Sequence, residues 1–130
     1  MISPYLHFEN NCREALDYYA TVFKTSVDQL ITYGDMGLDP GETNDHLIAH
    51  ATMQIAGQEV LFSDGGGAVT PGNRMSLSIM LDDMVMLQDF FATLAQEGTV
   101  GVPFGPAPWT PGYGHLTDKY GVRWYMSMAH

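Results

Sequence analysis

LDYYAT at residues 16–21 and QDFFAT at residues 88–93 are one six-residue phrase in two spellings, set 72 positions apart. Each carries an acid, two adjacent aromatics, an alanine and a threonine, and each lies in a run whose apolar residues recur at helical spacing. In the first run these are Leu16, Tyr19 and Phe23, which predicts an amphipathic helix over residues 12–23. In the second they are Met84, Leu87, Phe91 and Leu94. Asn10 and Asn11 stand before the first helix as side-chain caps, and Glu14 follows Asn11 by three residues, the spacing of a capping box. Asp82 or Asp83 caps the second helix, and Gly98 closes it at its C-terminus.

On either side of each helix the pattern changes to strands. Residues 2–8 read as a first strand, with Tyr5 and Phe8 supplying β-favouring bulk, and residues 27–33 as a second. Residues 46–56 and 58–64 form a hairpin about Gly57, and the Gly- and Pro-broken acidic stretch 34–44 is a loop. After the second helix come strands over 113–118 and 122–128, and before it one over 75–81. Residues 100–102 read as a short strand, whereas 103–111, with four prolines and Trp109, suit a loop or an edge. Gly57 before QEVLFS echoes Gly121 before VRWYMS, so the duplication extends beyond the helices. Strand, helix and three strands, twice over, give an α+β chain of two βαβββ repeats in one domain over 1–130. Repeat one runs over about 1–64, a glycine-rich linker over 65–74, and repeat two over about 75–130.

The 130 residues are enough for a continuous core, and 45% hydrophobic with 15% charged residues is globular composition. Fifteen acids against five Lys and Arg leave a net charge of −10, which repels nucleic acid and anionic membrane and suits neutral or cationic ligands. No apolar run approaches the roughly 20 residues that span a bilayer, and the opening MISPYLHF has no basic region or long apolar stretch of a signal peptide. A single cysteine allows no intrachain disulfide, and a cytoplasmic location follows as the expectation.

FENNCREALDYYATVF, IAHATMQIAGQEVLFSD and GYGHLTDKYGVRW resemble the three signature segments of PhnB-like proteins, in the vicinal-oxygen-chelate superfamily of glyoxalases, bleomycin-resistance proteins and extradiol dioxygenases. The resemblance implies eight strands bent into a half-open cup, helices on its convex side, a small organic ligand inside, and a homodimer. Some relatives carry a ubiquinone-biosynthesis methyltransferase label, but no strand, glycine-rich loop and helix of a nucleotide-type cofactor site occurs here. The run at 65–67 follows a strand and leads into 68–73, which has no helical pattern.

Metal-using members of the superfamily place one ligand on the first strand and one on the last strand of each repeat. Carried through the internal repeat, those positions are Ser3, Leu61, Ser76 and Tyr125. A hard divalent cation wants carboxylate, imidazole or several oxygens, and this quartet does not supply them. Of the five histidines, His46 and His50 share a strand parity but lie about 13 Å apart at strand rise. A His7–His50 pair is the alternative metal site, without an evident third ligand. No metal or other cofactor is therefore expected. Strand parity and the family pattern nominate Ser3, Tyr5, His7, His50, Leu61, Ser76, Trp109, Tyr113, Arg123 and Tyr125 as cavity-lining residues. Parity sends Trp124 to the helix layer instead. Trp109 reads equally as a lid or a dimer contact. Cys12 at a helix start reads as a reactive thiol or, preferably, as a small buried helix residue.

The expected function is a PhnB-like small-molecule-binding protein without the usual metal quartet, its reaction open. The alternatives are a metal-dependent glyoxalase-like lyase or dioxygenase acting through His7 or His50, and a drug-sequestering resistance protein. A phosphonate site would need clustered cations, and only Arg13, Arg74 and Arg123 are on offer.

Overall fold

The computed structural model describes residues 1–37, 45–65 and 67–129. Most of the expected loop at 34–44, the middle of the glycine run at 65–67, and His130 lie outside the described residues. The chain divides into two compact units, Met1–Thr70 and Pro71–His130. In the first the order is β1 (Tyr5–His7), α1 (Cys12–Phe23), β2 (Val27–Thr32), β3 (Ile48–Ile55) and β4 (Gln58–Ser63). In the second it is β5 (Leu77–Leu81), α2 (Met84–Ala95), β6 (Thr99–Ala107), β7 (Thr110–Thr117) and β8 (Arg123–Met128). Each unit is a four-stranded open sheet, ordered β1-β4-β3-β2 in one and β5-β8-β7-β6 in the other. The first strand pairs parallel with the last in both, and the remaining pairs are antiparallel. This is the α+β, twice-repeated βαβββ fold. No helix among the described residues is long and apolar enough to cross a membrane.

The two repeats are offset by 72 residues in the helices, Cys12 to Met84, but by 73 in their first strands, since Tyr5 pairs with Leu61 as Ser78 does with Tyr125. The first unit thus has one more residue between strand and helix. Asn10 falls in that connection and takes the left-handed region at φ 68. Asn11, the expected cap, makes no side-chain cap bond. The buried carboxylate of Asp64, just past β4, accepts instead from Cys12 N at 2.9 Å through Oδ1 and from Ile48 N at 2.9 Å through Oδ2. It satisfies one of the orphan donors of the helix start from a remote strand end. In the second unit the shorter connection lets Asp83 cap locally, its Oδ1 accepting from Met86 N at 3.0 Å.

Cys12, Ala15, Leu16, Tyr19, Val22 and Phe23 form the buried face of α1. They pack on the inward parity of β3 and β4, where Ala51 pairs with Phe62 and Met53 with Val60. Tyr19 and Phe62 meet at 6.1 Å between ring centroids, and Phe8 stacks on Phe62 at 6.3 Å. Cys12 is fully buried, and burial, reinforced by the Asp64 charge and opposed by Arg13, pushes its thiol up to about 12. It is a structural residue. β3 turns into β4 through Ala56 (φ 51) and Gly57 (φ 85), the doubly left-handed two-residue hairpin whose twist matches its strands.

In the second unit Leu87, Phe90, Phe91 and Leu94 are buried against Leu116, Trp124 and Met126, and Phe91 meets Phe104 at 5.7 Å. Asp118 is buried as well. Its Oδ1 accepts from Tyr120 N at 2.8 Å and Val122 N at 3.1 Å, and its Oδ2 from Trp124 Nε1 at 2.8 Å. The turn before β8 is therefore held by backbone and indole donors, while Lys119 pairs with Glu97 at 3.2 Å.

Several boundaries differ from the sequence pattern for physical reasons. β1 begins at Tyr5 rather than residue 2: Pro4 has no N–H to give, although its carbonyl accepts from Leu61 N at 2.9 Å, and Ile2 is 96% exposed. β6 continues through Pro103 and Pro106 to Ala107, because it is the edge strand and its register slips three times against β7. The chain then turns at Pro108 and Trp109, so that β7 starts at Thr110. Gly98 does not end α2 with a left-handed residue. Helix α2 stops at Ala95, and Gly98 is needed for close approach: a Cβ there would lie 2.6 Å from Thr117 O and 2.8 Å from Leu94 O.

Candidate functional site

With α1 covering one face of the first sheet, the alternation of side chains sends Tyr5 and His7, Leu61 and Ser63, and His50 and Thr52 to the other. His7 is the register partner of Ser63, and His7 Nδ1 lies 3.1 Å from Ser63 Oγ. Tyr5 stacks on His7 at 4.5 Å and meets the edge of His50 at 6.0 Å, with its hydroxyl 3.4 Å from His50 Nδ1. The structure thus joins three of the nominated residues, Tyr5, His7 and His50, and adds Ser63, which the parity of Leu61 two residues earlier signals. Ser3 lies half-buried ahead of β1 and outside the pairing. His46 is exposed in the turn before β3.

In the second unit α2 covers the Leu116, Trp124 and Met126 side, so Tyr113, His115, Arg123, Tyr125 and Ser127 take the face away from the helix. His115 and Tyr125 are register partners and stack at 4.5 Å with 25° between planes. Tyr113 lies 6.3 Å from Tyr125 and 6.4 Å from His115, and Trp109, 69% exposed, meets Tyr113 edge-on at 5.1 Å. The His115 ring lies flat over the β6 backbone at Gly101, where a Cβ would be 2.3 Å from its Cε1 and 2.5 Å from its Nδ1. Glycine on one side and Tyr125 on the other fix the imidazole, and neither ring nitrogen has a hydrogen-bond partner among the described residues. Sequence parity with Tyr113 marks His115 for this face, yet weighing the histidines only as metal ligands passes over it.

Arg123 is half-buried beside this cluster. Its guanidinium carbon is 6.0 Å from the Tyr125 ring centroid, Nη2 is 3.5 Å from the Tyr125 hydroxyl, and Nη1 donates to the carbonyl of Asn73. Among the described residues it pairs with no carboxylate. Ser76 is exposed ahead of β5, and the strand neighbour of Tyr125 is Ser78.

The four positions transferred from the family pattern do not fit a divalent cation. Leu61 and Tyr125 sit beside Tyr5 and Ser78, so the two pairs that contain the transferred last-strand positions offer hydroxyls and a hydrocarbon in place of carboxylate or imidazole. His7 and His50 each turn Nδ1 to a hydroxyl. Among the described residues no group of three or more His, Cys, Asp and Glu is placed to hold a metal ion.

A family model described as 3-demethylubiquinone-9 3-methyltransferase matches residues 1–127. Protein YjdN of Escherichia coli K12 is 30% identical over 143 aligned positions, covering 98% of this chain and 95% of that protein. A solved structure from Bacillus cereus, described as a putative 3-demethylubiquinone-9 3-methyltransferase, PhnB protein, is 29% identical with 98% of each chain covered and a TM-score of 0.79. Lactoylglutathione lyase from Agrobacterium tumefaciens, 15% identical over 99% of this chain and 92% of that one, shares the fold at a TM-score of 0.61.

Proposed function

The chain belongs to the family described as 3-demethylubiquinone-9 3-methyltransferase, as a PhnB-like member of the vicinal-oxygen-chelate superfamily, and from that premise we propose that it binds a small organic molecule without an obligatory metal. The observation that carries the reading is the aromatic face of β7 and β8. Trp109, Tyr113, His115 and Tyr125 gather their rings there, and a positioned imidazole leaves both nitrogens unbonded. Aromatic surface with a few convergent polar groups is what a small-molecule site is made of. The second polar cluster, Tyr5, His7, His50 and Ser63, gives the first unit a face able to exchange hydrogen bonds or protons with a ligand.

Methyl transfer is not part of the proposal. The glycine run after β4 leads into bends, and the next regular element is strand β5 rather than a helix that would cradle a nucleotide-type cofactor. Metal-assisted lyase or dioxygenase chemistry would need a donor set that the four transferred positions lack. Family membership also carries the expectation of a homodimer, which sedimentation equilibrium measures.

The test is a crystal structure of protein purified without chelator or added metal, with elemental analysis of the same preparation. Organic density against Tyr113, His115 or Tyr125 and substoichiometric metal are the expected result. A stoichiometric divalent ion on Ser3, Ser76, Tyr125 or the His7–His50 pair overturns the reading in favour of the metal-dependent alternative.

A further inference from the structure

Arg123 is the half-buried arginine of this chain, Arg13 and Arg74 being exposed. Fifteen acids outnumber five Lys and Arg, so a guanidinium has three carboxylates for every cation to choose from. Lys119 has taken one, Glu97, at 3.2 Å. Arg123 is half-buried, where an ion pair would gain most, and yet among the described residues it is matched only by the Asn73 carbonyl, the Tyr125 hydroxyl and the Tyr125 ring. A guanidinium has five donors in a planar fork and cannot be deprotonated, so these neutral partners leave its charge uncompensated and part of its fork unspent. Beside it stand the Tyr125 hydroxyl and His115, whose ring nitrogens are unmatched among the described residues. Next along the same face come the rings of Tyr113 and Trp109.

Resting on the small-molecule reading above, we propose that the face of β7 and β8 takes a planar aromatic carboxylate. Its carboxylate is held by Arg123 and the Tyr125 hydroxyl, and its ring lies among Tyr125, Tyr113 and Trp109. His115 supplies a hydrogen bond to a ring substituent. The choice of charge follows from the unmatched cation, because an anionic group is the partner that a two-pronged guanidinium lacks. The planar ring follows from the aromatic wall. The net charge of −10 would favour cations at the surface as a whole, so anion selectivity at this face would be a local property of Arg123, and that makes it separable by experiment.

The experiment is a titration of the full chain with four probes, followed in aromatic side-chain NMR spectra: benzoate, cyclohexanecarboxylate, benzyl alcohol and benzamidine. The expected result is saturable binding of benzoate at Tyr125 and His115, at least tenfold tighter than of the other three. In Arg123→Gln that preference should vanish while Arg123→Lys keeps part of it, both variants being first verified as folded by circular dichroism. The ratio of benzoate to benzamidine affinity is the readout that loss of the Asn73 contact alone would not move. Ring probes that bind irrespective of charge, or an unaltered benzoate preference in Arg123→Gln, overturn this inference and leave the broader reading standing. If no probe of any charge shifts the Tyr113, His115 or Tyr125 resonances, both fail.

Discussion

Replacing Asp118 by alanine removes one buried carboxylate and strands three donors at once. Trp124 is 1% exposed, so its Nε1–H, 2.8 Å from Asp118 Oδ2, would lose its partner where water does not enter. An abandoned buried donor costs about 1–3 kcal/mol. Tyr120 N and Val122 N belong to half-buried residues of a turn that water can reach, so their loss adds about 0.5–1.5 kcal/mol each. The sum is about 2–6 kcal/mol, most of the stability of an ordinary domain at its upper end. Asp118→Asn should cost less, since an amide oxygen still accepts from the two backbone groups while its NH2 is turned against the indole N–H. Urea unfolding of wild type, D118N, W124F and the double variant isolates the Asp118–Trp124 contact, for which a coupling of about 1–3 kcal/mol is expected. Coupling below about 0.3 kcal/mol, within the additivity error of such cycles, would refute the assignment of Asp118 as the buried acceptor that holds the β7–β8 turn.

The other predictions concern reactivity, turn geometry and the fixed imidazole. The Cys12 thiol, pushed by burial from an ordinary 9.0 up to about 12, should resist iodoacetamide at pH 8 until the protein unfolds; rapid labelling of native protein would contradict this. Because its folded value is the higher one, its contribution is intact below pH 9.0 and is lost as pH rises toward about 12, so Cys12→Ala should flatten the alkaline fall of urea stability in that window. Ala56 pays for a left-handed φ of 51 without glycine's freedom, so Ala56→Gly should raise stability by about 0.5–1 kcal/mol, and an unchanged urea midpoint would count against the hairpin geometry. Gly101→Ala should drive the His115 ring off Tyr125 at a stability cost of about 1–3 kcal/mol. Unshifted His115 resonances in that variant would show that the ring does not lie over the β6 backbone.

The repeat was legible because it is written in side chains that pack locally. Leu16, Tyr19 and Phe23 delimit α1 at Cys12–Phe23 since a helix buries one stripe and the stripe is visible at fixed spacing. Arg123, Tyr125 and Ser127 fall on one side of β8 and Trp124 and Met126 on the other by the same logic with period two. Less legible was whatever depended on a partner far along the chain. Asp64, not Asn11, meets the start of α1, and no local pattern announces a cap 52 residues away. The extent of β6 depends on its being an edge, which its own prolines and glycines conceal. His115 needed both the strand parity and the vacancy at Gly101, of which the sequence displays only the first.

The two helix starts have different schedules on the ribosome. Asp83 is made immediately before α2 and is present as that helix forms. Asp64 is made 52 residues after Cys12. At about 5–20 residues per second of synthesis the nascent α1 waits some seconds for its cap. During that wait an amphipathic helix with no sheet to cover Leu16, Tyr19 and Phe23 is what a nascent-chain chaperone would meet. The start of α1 is therefore closed only once β4 has been made, whereas α2 carries its cap beside its helix.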